Sequence, residues 1–217
     1  FVITPETYDI RVNQRIENLS AAPVEYQWIQ YGPVDLPEGE STYLRDPRRV
    51  WFGHLLPTES DPSRQFVRRT DIRSRQKVID KPVSPDGLIW PPPTTEPGAE
   101  ELVYAALTNR YFAFAVHPVV EDAQSGQPLD KHLRAADRVY RTILQGVPSS
   151  GVGLETHVVL ELHSENTTLG AGETHDLSLA AYAGPLSRRI LASDSLYETL
   201  GLDALIVYNI GGPCAFC

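Results

Sequence analysis

Apolar and polar side chains alternate over several short stretches of the chain, and a period of two is typical of half-buried β-strands. Residues 8–17 alternate in this way, and a turn-forming break at 18–23 separates them from a second alternating stretch at 24–28. We expect these two stretches to pair with each other as an antiparallel hairpin with one face in water.

The most apolar part of the chain predicts a buried hairpin. Residues 102–107 and 111–116 are almost entirely apolar, and the short segment 108–110 joins them. The run that begins at Tyr111 is continuous enough to indicate a strand covered on both faces. Residues 133–144 fit a helical stripe or a strand over 138–144, and the pattern does not decide between them.

Periodicity is clearest near the end of the chain. Over 157–163, Val158, Leu160 and Leu162 point to one side of a predicted strand and mostly polar side chains point to the other. A further strand is predicted at 177–182. A helix is then predicted over 185–200, because proline suits the first helical position and Gly201 suits a C-terminal cap.

The segment 33–98 predicts a long excursion with little regular structure. It is rich in Pro, Glu and Ser, and its apolar island is limited to residues 50–52. Short strands are predicted at most at 65–70 and 76–79. Six prolines between residues 81 and 98 favour a loop there, because proline has no N–H to donate to a strand ladder.

Composition narrows the class of protein. The 217 residues are 41% hydrophobic, which is enough for a core, and the length fits a single domain over 1–217. The chain has no methionine and starts at Phe1, so we expect a processed chain or a piece of a larger one. No apolar run approaches the ~18 residues of a membrane-spanning helix. The net charge of −9 argues against nucleic acid as a partner.

Charge is distributed unevenly. Ten basic and five acidic residues lie between Arg45 and Lys81, so this stretch carries +5 and the remainder of the chain −14. Two interpretations stay open: a solvated arginine-rich edge, or a face that meets anionic lipid headgroups or an acidic partner. The candidate contact residues are Arg64, Arg68, Arg69, Arg73 and Arg75.

A few residues are candidates for chemistry. His157, Glu161 and His163 share one face of a predicted strand, which suits a metal site, an acid–base pair or polar decoration of a wet sheet face. We favour polar decoration of a wet sheet face, because no further metal ligand can be identified from the sequence. Cys214 and Cys217 have the spacing of a redox pair or half a zinc site, yet an apolar segment that continues beyond them is the simpler interpretation. We therefore expect no catalytic residue, no cofactor and no metal.

Several stretches resemble one protein family when taken together. Residues 1–12 are similar to the strand that opens the second half of the periplasmic domain in YidC-type membrane protein insertases. Residues 109–118 resemble that family's Tyr-Phe strand ending in proline. Gly184–Pro185 with the following helix, then 202–203 and 211–212, resemble the closing helix and the approach to the next membrane segment. These similarities occur in family order.

The resemblance implies a mainly β fold, a twisted antiparallel β-supersandwich of the galactose-mutarotase-like type with a C-terminal helix. It implies the periplasmic side of a bacterial inner membrane, with the chain as the later part of a domain tethered by flanking transmembrane helices. It further implies a non-catalytic scaffold whose partners are Sec translocon components and inserting membrane proteins. The membrane-proximal segment would include Gly211, Gly212, Pro213, Cys214, Phe216 and Cys217.

Two alternatives remain. Supersandwich folds also host carbohydrate-binding and mutarotase-like proteins, for which His117, His157, Glu161 and His163 are the available side chains. Redox or zinc chemistry at Cys214 and Cys217 is the other. The arginine-rich excursion and the terminal Pro213–Cys217 segment depart from the family pattern.

Overall fold

The computed structural model describes residues 2–3, 7–37, 46–57, 66–92, 95, 100–120, 135–148, 154–192 and 194–206. The strands are β1 (Val2–Ile3), β2 (Asp9–Val12), β3 (Arg15–Glu17), β4 (Val24–Tyr26), β5 (Ile29–Val34), β6 (Arg49–Pro57), β7 (Phe66–Ser74), β8 (Leu88–Trp90), β9 (Glu101–Thr108), β10 (Phe112–Pro118), β11 (Arg138–Pro148), β12 (Leu154–His163), β13 (Thr167–Leu169), β14 (Thr174–Asp176) and β15 (Leu179–Pro185). The helices are α1 (Arg75–Asp80), α2 (Arg188–Leu191) and α3 (Ser195–Leu200), followed by a 3₁₀ turn, Leu202–Leu205.

Two antiparallel sheets form the body of the molecule. A seven-stranded sheet has the order β1-β2-β15-β10-β9-β6-β7, and a four-stranded sheet has the order β5-β12-β11-β8. Two small ribbons, β13-β4 and β14-β3, complete the strands of the described residues. The chain is therefore mainly β and antiparallel, as the sequence predicts, with short helices near its C-terminal end.

The main core lies between the two sheets. Val50 and Phe52 of β6 face this interior, and Val158, Leu160 and Leu162 of β12 meet them from the other sheet. The predicted orientation of these three β12 side chains is confirmed. Each large apolar side chain buried in this way stabilises the fold by about 1.5–3 kcal/mol.

A second core covers the opposite face of the seven-stranded sheet. Trp51, Tyr104 and Tyr182 point outward from their strands and pack against Tyr197 and Leu200 of α3. The two cores share one sheet because successive side chains in a strand point to opposite faces.

The predicted single helix over 185–200 is wrong. Pro185 is the last residue of β15, where it pairs with Phe112 of β10. The helical part is divided into α2 and α3, because the Asp194 carboxylate accepts the Leu196 N–H at 2.8 Å and starts a new helix. The cap at Gly201 is confirmed: it is left-handed, with φ of 73°.

The predicted excursion over 33–98 is also wrong for much of its length. β6 and β7 form a long antiparallel hairpin, and β6 lies inside the seven-stranded sheet between β9 and β7. The apolar island at 50–52 is thus part of a central strand. A Cβ at Gly53 of β6 would overlap the ring of Tyr104 on β9, so this strand needs glycine there.

Other parts of the same segment also differ from the prediction. The stretch expected as a strand at 76–79 is helix α1, whose N-cap Ser74 accepts the Lys77 N–H at 3.3 Å. β8 interrupts the proline-rich loop and pairs with β11.

Strand pairing near the N-terminus differs from the prediction as well. β2 pairs with β1 and β15, β3 pairs with β14, and β4 pairs with β13, so the first two alternating stretches do not form a hairpin with each other. The β9–β10 hairpin is confirmed, with Ala113 opposite Thr108. The ambiguous segment 133–144 contributes strand β11 rather than a helix.

Candidate interaction surfaces

The arginine-rich stretch contributes the edge strand β7. Of the residues with a described side chain, Arg69 is exposed, whereas Arg73 is half-buried with its guanidinium 5.6 Å from the Phe52 ring centroid. Burial lowers the pKa of Arg73, and Asp71 acts in the opposite direction. Among the β7 arginines whose side chains are described, Arg69 is therefore the one whose charge is open to a partner.

Arg75 has a different role from the one predicted. Its side chain is buried, and its Nε donates to Asp35 Oδ2 at 2.7 Å. Its Nη2 also donates to the Thr156 carbonyl oxygen, and the same Asp35 oxygen accepts the Val158 N–H at 2.8 Å. Arg75 thus joins the start of α1 to the four-stranded sheet, and its predicted role as a surface contact is wrong.

A second ion pair lies beside this link. Arg48 donates from Nε and Nη2 to the two carboxylate oxygens of Asp46, each at 2.9 Å, and Arg75 Nη1 lies 3.9 Å from Asp46 Oδ2. Burial opposes ionisation of Asp46, but the hydrogen bonds from Arg48 outweigh it and hold the pKa of Asp46 below its usual value. The arrangement fastens the two sheets together and leaves little of its charge to an external ligand.

Several predicted contact residues lie wholly or partly outside the described part of the structure. Arg64 lies outside the described residues, and Arg68 belongs to β7 but its side chain is not described. The whole membrane-proximal segment also lies outside the described residues: Gly211, Gly212, Pro213, Cys214, Phe216 and Cys217. Their roles stay predictions.

The outer face of the four-stranded sheet carries a polar cluster. His163 Nε2 lies 3.2 Å from Glu161 Oε2, and the Thr142 hydroxyl donates to the other oxygen of Glu161. The Tyr140 ring lies 4.4 Å from the His163 ring between centroids. His157 is six residues from His163, about 20 Å along the strand. Among the described residues no group of three or more His, Cys, Asp or Glu side chains is suitably placed for a metal ion.

His117 does not join this cluster. It lies in β10 of the seven-stranded sheet and is 0% exposed. Its Nδ1 is 2.8 Å from the Pro118 carbonyl oxygen and its Nε2 is 3.3 Å from Asp9 Oδ1. A sugar site that uses His117 together with Glu161 and His163 is therefore excluded by the fold.

Sequence reasoning missed a hydrogen-bonded chain between the two ribbons. The Tyr26 hydroxyl is 2.7 Å from His175 Nδ1, and His175 Nε2 is 3.5 Å from Glu173 Oε1. Burial and then the Glu173 charge raise the pKa of Tyr26, so the hydroxyl stays protonated and suits a structural link better than a nucleophile. No local spacing signals it, because Tyr26 and His175 are 149 positions apart.

The segments that carry the family resemblance lie side by side. Residues 1–12 supply β1 and β2, 109–118 supply β10, and Gly184–Pro185 ends β15, and the sheet order is β1-β2-β15-β10. A Cβ at Gly184 would lie 2.7 Å from both Tyr8 Cγ and the Tyr182 hydroxyl oxygen. Because Gly184 in the third segment has no side chain, the ring of Tyr8 in the first segment can pack closely against it.

Comparisons of this sequence with protein-family models and with curated proteins gave no match. In the part of the chain that the structure describes, the helices lack the length and apolar character needed to cross a membrane.

Proposed function

We propose that this chain is a periplasmic domain of a YidC-type membrane protein insertase and acts there as a non-catalytic scaffold and docking surface. The observation that supports this proposal is the adjacency of β2, β15 and β10, which contain the three separate segments that resemble the family. Motifs scattered along a chain are expected to meet in space when they belong to one fold. The antiparallel sandwich is the fold class that the same resemblance implies.

In this proposal the chemistry of insertion belongs to membrane helices that flank the domain. The domain contributes surfaces on the periplasmic side for Sec translocon components and inserting membrane proteins. β7 is the candidate docking edge, because it pairs with β6 on one side and with no described strand on the other. A free edge offers backbone donors and acceptors to an extended partner, and exposed Arg69 adds a positive charge.

The coding sequence beyond Cys217 tests the assignment directly. We expect an apolar stretch of about 20 residues shortly after it, long enough to span a bilayer. A long hydrophilic continuation with no such stretch would contradict the proposed place of the domain.

Photocrosslinking tests the docking edge. A photoreactive amino acid at Arg69 is introduced into the whole gene product in its own membranes, with Tyr31 on the four-stranded sheet as the matched exposed control. We expect adducts with Sec translocon components or nascent membrane proteins from position 69 and few from position 31. Equal yields from both positions would rule out β7 as the docking edge.

Carbohydrate binding is a second candidate, favoured by the Glu161–His163 pair and by the Tyr140 ring, which lies beside the His163 ring. An aromatic ring beside a carboxylate and an imidazole suits a sugar, although both oxygens of Glu161 are already engaged within the chain. Titration with monosaccharides should then show saturable binding that His163→Ala removes. A flat titration would dismiss this candidate.

A further inference from the structure

One end of the seven-stranded sheet exposes two adjacent aromatic side chains. Tyr111 is the last residue of the turn between β9 and β10, Phe112 is the first residue of β10, and they are 57% and 50% exposed. The continuous apolar run that starts at Tyr111 predicts a strand covered on both faces, and this is wrong for its first two residues. From Ala113 onward the strand enters the two cores.

Hydrogen bonds hold this turn in place. The Asn109 side chain accepts the N–H groups of Tyr111 and Phe112, each at 2.8 Å, and donates to the Pro37 carbonyl oxygen at 2.9 Å. The Tyr111 carbonyl oxygen accepts the Leu186 N–H at 2.7 Å. The two aromatic rings therefore project from a backbone that is fixed to both neighbouring connections, which lowers the entropic cost of using them for binding.

Three exposed arginines lie in this turn or shortly after the residue that is hydrogen-bonded to it. The Arg110 guanidinium lies 5.6 Å from the Tyr111 ring centroid. Arg188 and Arg189 begin α2, two and three positions after the residue that is bonded to Tyr111, and α2 has no acidic residue in its first turn. We call these five residues the hairpin-end patch: Arg110, Tyr111, Phe112, Arg188 and Arg189.

The composition of the hairpin-end patch matches a lipid surface. Tyrosine and other aromatic rings partition into the boundary between headgroups and acyl chains, where one end of the ring is wet. Arginines beside them reach lipid phosphates, and each basic residue near an anionic membrane contributes about fivefold to binding. These exposed rings suit a bilayer because lipids rearrange around inserted side chains, whereas a protein partner must supply a matching cavity.

We propose that the hairpin-end patch binds the surface of a bilayer that contains anionic phospholipids. Tyr111 and Phe112 enter the headgroup region and the three arginines bind phosphate groups. This moves lipid contact away from the Arg64–Arg75 stretch, where Arg75 is buried and Arg73 lies over Phe52. Binding of lipid by the purified chain can be measured whether or not the chain belongs to an insertase, so the two proposals fail separately.

Vesicle flotation of the purified chain tests the proposal. Vesicles of phosphatidylglycerol with phosphatidylethanolamine should bind the chain, vesicles of phosphatidylcholine alone should bind it weakly, and added salt should reduce binding to the anionic vesicles. Tyr111→Ser with Phe112→Ser should abolish flotation. The matched control, Tyr31→Ser with Ile29→Ser, removes equally exposed apolar side chains from the four-stranded sheet and should leave flotation unchanged.

Substitution of single arginines tests which of the two basic regions, the hairpin-end patch or β7, contacts lipid. Arg110→Gln and Arg188→Gln should each weaken binding about fivefold. Arg69→Gln on β7 should have no effect. Loss of binding with Arg69→Gln and not with Arg188→Gln would return lipid contact to the edge strand and overturn the proposal.

Insertion of the ring is measured with Tyr111→Trp and lipids brominated on their acyl chains. Fluorescence of this variant should be quenched on binding, and Tyr31→Trp should not be. Absence of quenching would overturn the inserted geometry. If sedimentation shows that Tyr111→Ser with Phe112→Ser dissolves a dimer while vesicles never bind, the patch is an interface between copies and the proposal is wrong.

Discussion

The two faces of the seven-stranded sheet are covered in different ways. Its inner face packs on the four-stranded sheet, and buried ions at the margin, Arg75 with Asp35, connect the layers. Its outer face is covered by two helices of only four and six residues. Helices this short do not persist on their own, so packing against the sheet must hold them. The seven-stranded sheet therefore supports two different layers, a second sheet on its inner face and, on its outer face, short helices that depend on it for their stability.

Polar groups are also satisfied differently on the two faces. Under the helices, Tyr8 N–H donates to the Tyr197 hydroxyl at 3.2 Å, and the Tyr182 hydroxyl donates to the Pro185 carbonyl oxygen at 2.6 Å. The rings of Tyr182 and Tyr197 meet edge to face at 5.0 Å. Burial raises the pKa of both hydroxyls, so both remain neutral. Under the helices, polar groups are therefore paired through neutral tyrosine hydroxyls, whereas at the margin of the inner face they are paired through the charged side chains of Arg75 and Asp35.

The largest effect is expected from breaking the inner link. Arg75→Met leaves the Asp35 carboxylate buried without its cation and should destabilise the fold by about 3–5 kcal/mol in urea denaturation. Arg75→Met with Asp35→Asn keeps an acceptor for Val158 N–H but removes the charge, and it should recover most of the loss. A cost below about 1 kcal/mol for the single variant would show that the ion pair does not hold the sheets together.

A smaller and more local effect is expected on the outer face. Leu200 of α3 is fully buried against the seven-stranded sheet, and Leu200→Ala should cost about 3 kcal/mol through lost burial and a residual cavity. Hydrogen exchange should rise in α2 and α3 before it rises in β12. Leu19→Ala, at an exposed leucine, is the matched control and should change neither quantity. A simultaneous rise of hydrogen exchange in β12 would mean that α2 and α3 do not form a layer that opens separately from the sheets.

Removing one hydroxyl sharpens the comparison further. Tyr197→Phe keeps the ring packing and deletes the acceptor for Tyr8 N–H, so it should cost about 1 kcal/mol. Tyr31→Phe at an exposed tyrosine should cost nothing measurable. A loss as large as that of Leu200→Ala would show that the hydroxyl, and not apolar burial, holds the helices.

The smallest expected effect concerns Asp46 and pH. Its pKa is lower in the folded state than the ordinary 3.8, so its contribution is present above that value and is lost as pH falls through the folded pKa. Asp46→Asn should cost at most about 1 kcal/mol at neutral pH, because the pair is partly exposed. Denaturation curves of the two proteins should converge in acid. A difference that persists unchanged through the acid range would contradict this origin.

Prediction from the sequence succeeded where the signal was local. The strands around Val158–Leu162 and 102–107 follow from alternation or continuous apolarity, and the cap at Gly201 follows from its freedom to adopt positive φ. The prediction was wrong at 33–98, because the charged and proline-rich residues around the central strand β6 obscured its apolar pattern. It failed again at 185–200, where the capping carboxylate of Asp194 divides a plausible apolar stripe into two helices.

The candidate surfaces were less predictable than the fold. The local sequence does not distinguish Arg69, Arg73 and Arg75 from one another. In the structure, Arg69 is exposed, Arg73 lies over the Phe52 ring and Arg75 is buried against Asp35. Tyr111 and Phe112 belong to an apolar run but lie at its exposed end. Neither difference can be derived from spacing, since each depends on which distant element lies nearby.

By itself, the sequence determined the antiparallel β class and the faces of its most regular strands, because backbone geometry makes side-chain alternation a local property. Tertiary structure alone decided that β2 pairs with β15, that Arg75 joins α1 to the four-stranded sheet and that Tyr111 and Phe112 remain exposed. Strand pairing and burial arise from contacts between residues far apart in the chain. Local periodicity carries no information about which of those contacts form.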